Sequence, residues 1–147
     1  MSQFRVVLDA CVLYPQGLRD LLMSLAAERI FKAHWSEQIH DEWIRNLHKN
    51  SGMPMAQLQR IRELMDQHTD DALVMGYESL ITGLNLPDPD DFIAYQVDMA
   101  PAAVCSAVKK MRQRLKNPPY TASEYLAAIK PRLPNTASMM MEYQSLI

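Results

Sequence analysis

The sequence predicts an α/β domain with a helical C-terminal appendage, and three observations predict it. Phe4 to Leu8 is a short, almost unbroken apolar run that stops at a carboxylate, Asp9. From there to about Met75, short apolar runs alternate with stretches whose apolar residues recur every three or four positions. Beyond Asp91 only the helical spacing remains. Strands followed by helices, then helices alone, give a parallel sheet with helical cover. A chain of 147 residues is long enough for one domain with its own core. We therefore expect an α/β core over residues 1–91 and a helical region over 92–147, both part of the same domain.

Each element follows from local chemistry. Phe4-Arg5-Val6-Val7-Leu8 is β-branched and five positions long, which suits a central strand covered on both faces. Periodicity alone does not separate such a run from a buried helix segment. Pro15-Gln16-Gly17 marks a turn, and Leu18, Leu21, Leu22, Leu25 and Ala26 then share one helical face. Phe31 to Trp35 reads as a second strand. Ser36 is a suitable N-cap for the next helix, with Glu37 favoured in its first turn by the dipole. That helix carries Ile39, Trp43 and Leu47 at i, i+4 and i+8, with Glu42 at the edge of the stripe, free to face a cleft. Pro54 suits the first turn of a third helix marked by Met55, Leu58, Ile61 and Met65. Ala72-Leu73-Val74-Met75 reads as another short strand, and Leu86-Pro87-Asp88-Pro89-Asp90-Asp91 as a break crowded with carboxylates. Val104, Val108, Met111 and Leu115 form a helical stripe that Pro118-Pro119 ends. Thr121-Ala122-Ser123-Glu124 is a capping box opening one more helix.

Composition excludes several function classes. The net charge of −2 gives no global pull toward nucleic acid, so any such binding must come from a local patch. No apolar run reaches membrane-spanning length, and Met1 to Arg5 is no signal peptide, so a cytoplasmic protein is expected. Cys11 and Cys105 lack metal-ligand spacing and read as reduced core thiols. His34, His40, His48 and His68 include no zinc-like pair and read as surface or partly buried imidazoles. The four glycines are scattered, so no phosphate-cradling loop exists. Met139-Met140-Met141 reads as an adaptable apolar contact surface or as ordinary core.

Three acidic places remain: Asp9, Asp41-Glu42, and the group Asp88, Asp90 and Asp91. Clustered carboxylates repel each other, and a divalent cation relieves the repulsion; Mg²⁺ takes one or two of them and keeps several waters. The competing readings are turn chemistry or an N-cap for the aspartates and a solvated helix face for Asp41-Glu42. The basic helix with Lys109, Lys110, Arg112, Arg114 and Lys116 is either a solvated face or one wall of a phosphate-binding groove.

The stretches Val7 to Pro15, Leu18 to Leu22 and Trp35 to Leu47 together resemble the PIN-domain family, closest to the VapC-like ribonuclease toxins of bacterial toxin–antitoxin pairs. The likeness continues through Leu86 to Asp91, Leu115 to Pro119 and Thr121 to Tyr125. It implies a PIN-like three-layer fold with a short, mostly parallel sheet. It also implies a Mg²⁺- or Mn²⁺-dependent endoribonuclease cutting single-stranded or looped RNA, silenced by an antitoxin protein. Asp9 matches the family's first metal-binding aspartate and Glu42 its helix glutamate. Asp91 is the best match for the third acid, with Asp88 and Asp90 as neighbours. Arg19, Arg45, Lys109, Lys110 and Arg112 are the candidates for contact with RNA, plain surface charge being the alternative.

The departure from the family pattern also carries weight. Asp90-Asp91 runs straight into Phe92-Ile93-Ala94-Tyr95, as if two Pro-Asp-Asp turns were fused and the segment between them lost. The missing piece, a helix plus strands, is on the order of 30 residues or more. Its loss leaves the fourth acid without a counterpart and the first strand with an unpaired edge. The expected consequence is a homo-oligomer, with or without exchanged elements, or a partner that covers the gap. Two functions follow: a ribonuclease with full or reduced activity, or a degenerate, non-catalytic PIN fold serving as an interaction or oligomerisation module.

Overall fold

The computed structural model describes residues 4–83 and 88–147. It divides into two compact units, Met1–Leu84 and Asn85–Ile147. The acidic turn at Asp88 to Asp91 falls in the second unit, whereas the sequence pattern places it at the end of the first.

In the first unit, strand β1 (Arg5–Val7) pairs in parallel with β2 (Lys32–His34), with Arg5 opposite Lys32 and Val7 opposite His34. A parallel pair needs a crossover. It is supplied by α1 (Ala10–Leu13) and α2 (Gln16–Ala27). The spacing of Leu21, Leu22 and Leu25 buries them fully, together with Leu13 and Phe31. After β2, the Ser36 hydroxyl accepts from the Ile39 N–H and starts α3 (Glu37–Ser51), as expected of an N-cap. Gly52, at φ +69°, closes α3 in the left-handed region that only glycine enters without cost. Then α4 (Met55–His68) packs on α3 through Leu58 and Met65.

Two expected strands are corrected. Among the described residues β1 pairs with β2 alone, so it is an edge strand and not a central one. Arg5 is exposed, and Val6 and Val7 are only half-buried, because no second neighbour covers them. Ala72 to Met75 makes a single parallel bridge, Trp35 with Leu73, flanked by two backbone hydrogen bonds. The positive φ of Asp71 and of Gly76 turns the chain away on both sides before a ladder can form.

Among its described residues the second unit has helices and no strand: α5 (Pro89–Met99), α6 (Pro101–Arg114), α7 (Ala122–Ile129) and α8 (Pro134–Met141). Asp88 caps α5 and Pro89 takes its first position, where the missing N–H costs nothing. Leu86 and Pro87, also expected in this break, lie outside the described residues. The capping box is formed as the sequence predicts, with Thr121 Oγ1 accepting from Glu124 N–H and Glu124 Oε2 from Thr121 N–H. Ile93, Val97, Val104, Val108 and Met140 are fully buried and make the core. Among the methionine triplet only Met140 is core; Met141 is exposed. Among the described residues the whole is eight α-helices and one two-stranded parallel sheet, an α/β chain with far more helix than sheet.

Candidate functional site

Asp9 stands two residues beyond β1, at the carboxyl edge of the sheet, in extended backbone. Its Oδ1 accepts the Ala10 N–H at 2.7 Å and caps α1. The cap uses Oδ1 and Oδ2 accepts from Cys11 Sγ at 3.5 Å, and each oxygen of the half-buried carboxylate keeps a lone pair for a further ligand. Helix α1 packs against α3. Asn50 of α3 also donates to the Tyr14 hydroxyl at 3.3 Å, tying down the far end of α1. Glu42 projects from α3 into solvent beside the fully buried Trp43. Cys11 is exposed, and not the expected core thiol, because Ala10 and Leu13 take the inward positions of this one-turn helix. Partial loss of solvent around its sulfur and then the Asp9 charge push its pKa up, so it stays a thiol at neutral pH.

The acids of the later turn have other employment. Asp90 is 5% exposed, and its two oxygens accept the N–H groups of Asn135 and Thr136, each at 2.8 Å. These are the first-turn donors of α8, which have no partner within their own helix. Thr136 Oγ1 donates back to the Asp90 carbonyl at 3.2 Å. Asp91 accepts from Asn135 Nδ2 at 3.2 Å, and Asp88 accepts the Asp90 N–H. Asp9 and Glu42 thus belong to the first unit and Asp91 to the second. Among the described residues no group of three or more His, Cys, Asp or Glu side chains is gathered closely enough to hold a metal ion.

The basic candidates also separate. Arg45, Lys109 and Lys110 are exposed. Arg112 is half-buried and donates to the carbonyls of Tyr120 at 2.8 Å and Ile147 at 3.1 Å, which fixes it to its own unit. Arg19 is a correction: it is 3% exposed, so it is buried and no surface charge. Helical geometry turns it inward with Leu22, three positions on. Its Nη1 donates to the Leu13 carbonyl at 2.7 Å, and its guanidinium lies 4.9 Å from the Trp43 ring centroid.

One polar cluster was missed by the sequence reading. His40 is fully buried, not superficial; its Nδ1 accepts from Trp43 Nε1 at 3.0 Å, so the proton sits on Nε2 and is donated to Asp66 Oδ1 at 3.0 Å. Trp35 Nε1 donates to the same oxygen at 2.8 Å. Arg62 ties the cluster outward, to Glu37 at 2.7 Å, Asp41 at 3.5 Å and Asp66 at 3.9 Å. Burial pushes the His40 pKa down, and the bond to Asp66 opposes that only in part. The available signal was Ser36, His40 and Trp43 on one helical face, a polar row inside an apolar stripe. His34 is buried as well, at the end of β2.

Against known proteins, a family model of the VapC50 C-terminal domain matches residues 89–142, which lie wholly within the second unit. No curated protein and no solved structure matches the chain. Among the described residues no helix is long and apolar enough to cross a membrane.

Proposed function

We propose that this chain is a VapC-like, PIN-type ribonuclease, the toxin of a toxin–antitoxin pair, with its chemistry seated on Asp9 and Glu42. The observation that carries the reading is Asp9 at the carboxyl edge of a parallel strand, on a helix packed against the one bearing Glu42. Ligands of open α/β sheets bind at that edge. The match of residues 89–142 to a VapC-type C-terminal domain supports it from the other half of the chain.

A hydrated Mg²⁺ takes one or two carboxylates and keeps several waters, and the half-exposed Asp9 and exposed Glu42, on packed helices, are the residues that would supply them. Such an ion, when bound, polarises a phosphodiester and lowers the pKa of its water. The residues' own part is to hold negative oxygens at a fixed edge, with the α1 cap orienting Asp9. The assay is cleavage of a single-stranded and a hairpin RNA with Mg²⁺ or Mn²⁺. Wild type is expected to cut; Asp9→Asn and excess chelator are expected to lower the rate by a factor of 100 or more. Equal cutting by wild type and Asp9→Asn rules the reading out.

That no three acids gather among the described residues favours a second reading, in which the PIN-type fold no longer cuts and serves as an interaction or oligomerisation module. In both readings β1 pairs with β2 alone among the described residues, so association with a second copy or with an antitoxin protein is expected. A monodisperse monomer in sedimentation at micromolar concentration, with a cooperative melt, contradicts the homo-oligomer.

A further inference from the structure

We propose that Arg19 is a positioning residue, clamping the helix that Asp9 caps onto the helix that carries Glu42; the inference rests on the ribonuclease reading above. A buried cation is costly, and an apolar side chain of similar volume would fill the space between α2 and its neighbours at lower cost. Among the described residues no ion pair includes Arg19. Burial alone therefore does not explain why a guanidinium stands there, and what it touches does.

Its Nη1 bonds the carbonyl of Leu13, the last residue of α1, and its Cζ lies over the ring of Trp43, the immediate neighbour of Glu42 on α3. Helix α1 has four residues, far too few to persist without tertiary support. Its terminal carbonyls lack partners in the helix, and a cation there also suits the dipole. Asp9 holds the N-terminal end of this turn and Arg19 the C-terminal end. On its far side Trp43 is fixed by the bond from its Nε1 to His40. Any tilt of α1 moves the Asp9 carboxylate, so Arg19 sets where the two acids stand relative to each other. Lysine keeps the charge but has neither the fork for the carbonyl nor the plane for the indole.

The test is Mn²⁺ affinity of the full chain, measured by titration calorimetry without RNA. Wild type is expected to bind, and Asp9→Asn and Glu42→Gln to weaken binding. Arg19→Lys and Arg19→Met are each expected to weaken it about tenfold or more, the range of supporting residues around metal ligands. Leu25→Ala, a cavity on the same helix away from these contacts, serves as the control for lost stability. It is expected to lower the melting temperature at least as much and leave Mn²⁺ affinity unchanged. Affinity that falls in the acid variants but not in Arg19→Lys, or falls equally in Leu25→Ala, overturns the role of Arg19 alone. Affinity unchanged in Asp9→Asn and Glu42→Gln overturns the cation reading and the role of Arg19 with it.

Discussion

Asp90→Ala is expected to melt the second unit while leaving the first intact. Both Asp90 oxygens are spent on the Asn135 and Thr136 N–H groups inside a buried site. A hydrogen bond to a charged group contributes about 1.5–3 kcal/mol, and two are lost together, so about 3 kcal/mol or more is at stake. The alanine also strands two donors at the start of α8 and removes a negative charge that its dipole favours. A domain of this size loses roughly 4–8 °C per kcal/mol, so the helical transition should fall by about 12 °C or more. Asp90→Asn should do almost as badly, since its amide NH₂ faces an N–H. Both tryptophans, Trp35 and Trp43, lie in the first unit, so their fluorescence should hold while circular dichroism drops. A variant that keeps its wild-type melt but loses cation binding would return Asp90 to the list of metal ligands.

Asp90 shows how far a sequence can be read for this fold. A proline-punctuated run of aspartates is compatible with metal ligation and with capping. What decides between them is Asn135 and Thr136, some 45 positions away, and no local pattern announces that meeting. Where the deciding partner is local, the reading holds. Ser36 finds the Ile39 N–H three residues on, Thr121 and Glu124 find each other, and Leu21, Leu22 and Leu25 share one face. The apolar run of β1 points to a central strand and the lost segment to an unpaired edge, and among the described residues the second expectation holds. The single bridge at Leu73 was invisible because β-pairing depends on which other strands exist. An apolar five-residue run looks the same at the centre of a sheet and at its rim. Arg19 reads as a surface charge or an RNA contact and His40 as a surface or partly buried imidazole, because polar residues are mostly exposed. Each is inside because its donors and acceptors find partners there, in Leu13, Trp43 and Asp66.

Stability is expected to fall on mild acidification, and the cause is His40. In the fold its Nδ1 must accept from Trp43 Nε1, so a second ring proton would set two donors against each other. Burial also disfavours the imidazolium, and the folded-state pKa lies below the ordinary value. The groups facing the ring are Asp66 and Arg62 from α4 and Glu37 from its own helix. Asp66 and Glu37 pull the pKa up, and Arg62 pushes it down. The unfolded chain takes up its proton near pH 6.5 while the folded one does not. The unfolded state therefore binds more protons below that pH, and stability drops as pH falls, down to the folded-state pKa, where the loss levels off. The slope for one such group is at most about 1.4 kcal/mol per pH unit. His40→Gln keeps one acceptor and one donor in a neutral side chain, so it should be less stable at pH 8 yet show a flatter profile from pH 6.5 to 5. Trp35 and Trp43 both hydrogen-bond into this cluster, so denaturant titrations followed by their fluorescence report it directly. Parallel pH profiles for wild type and His40→Gln would mean that His40 keeps an ordinary affinity for protons in the fold.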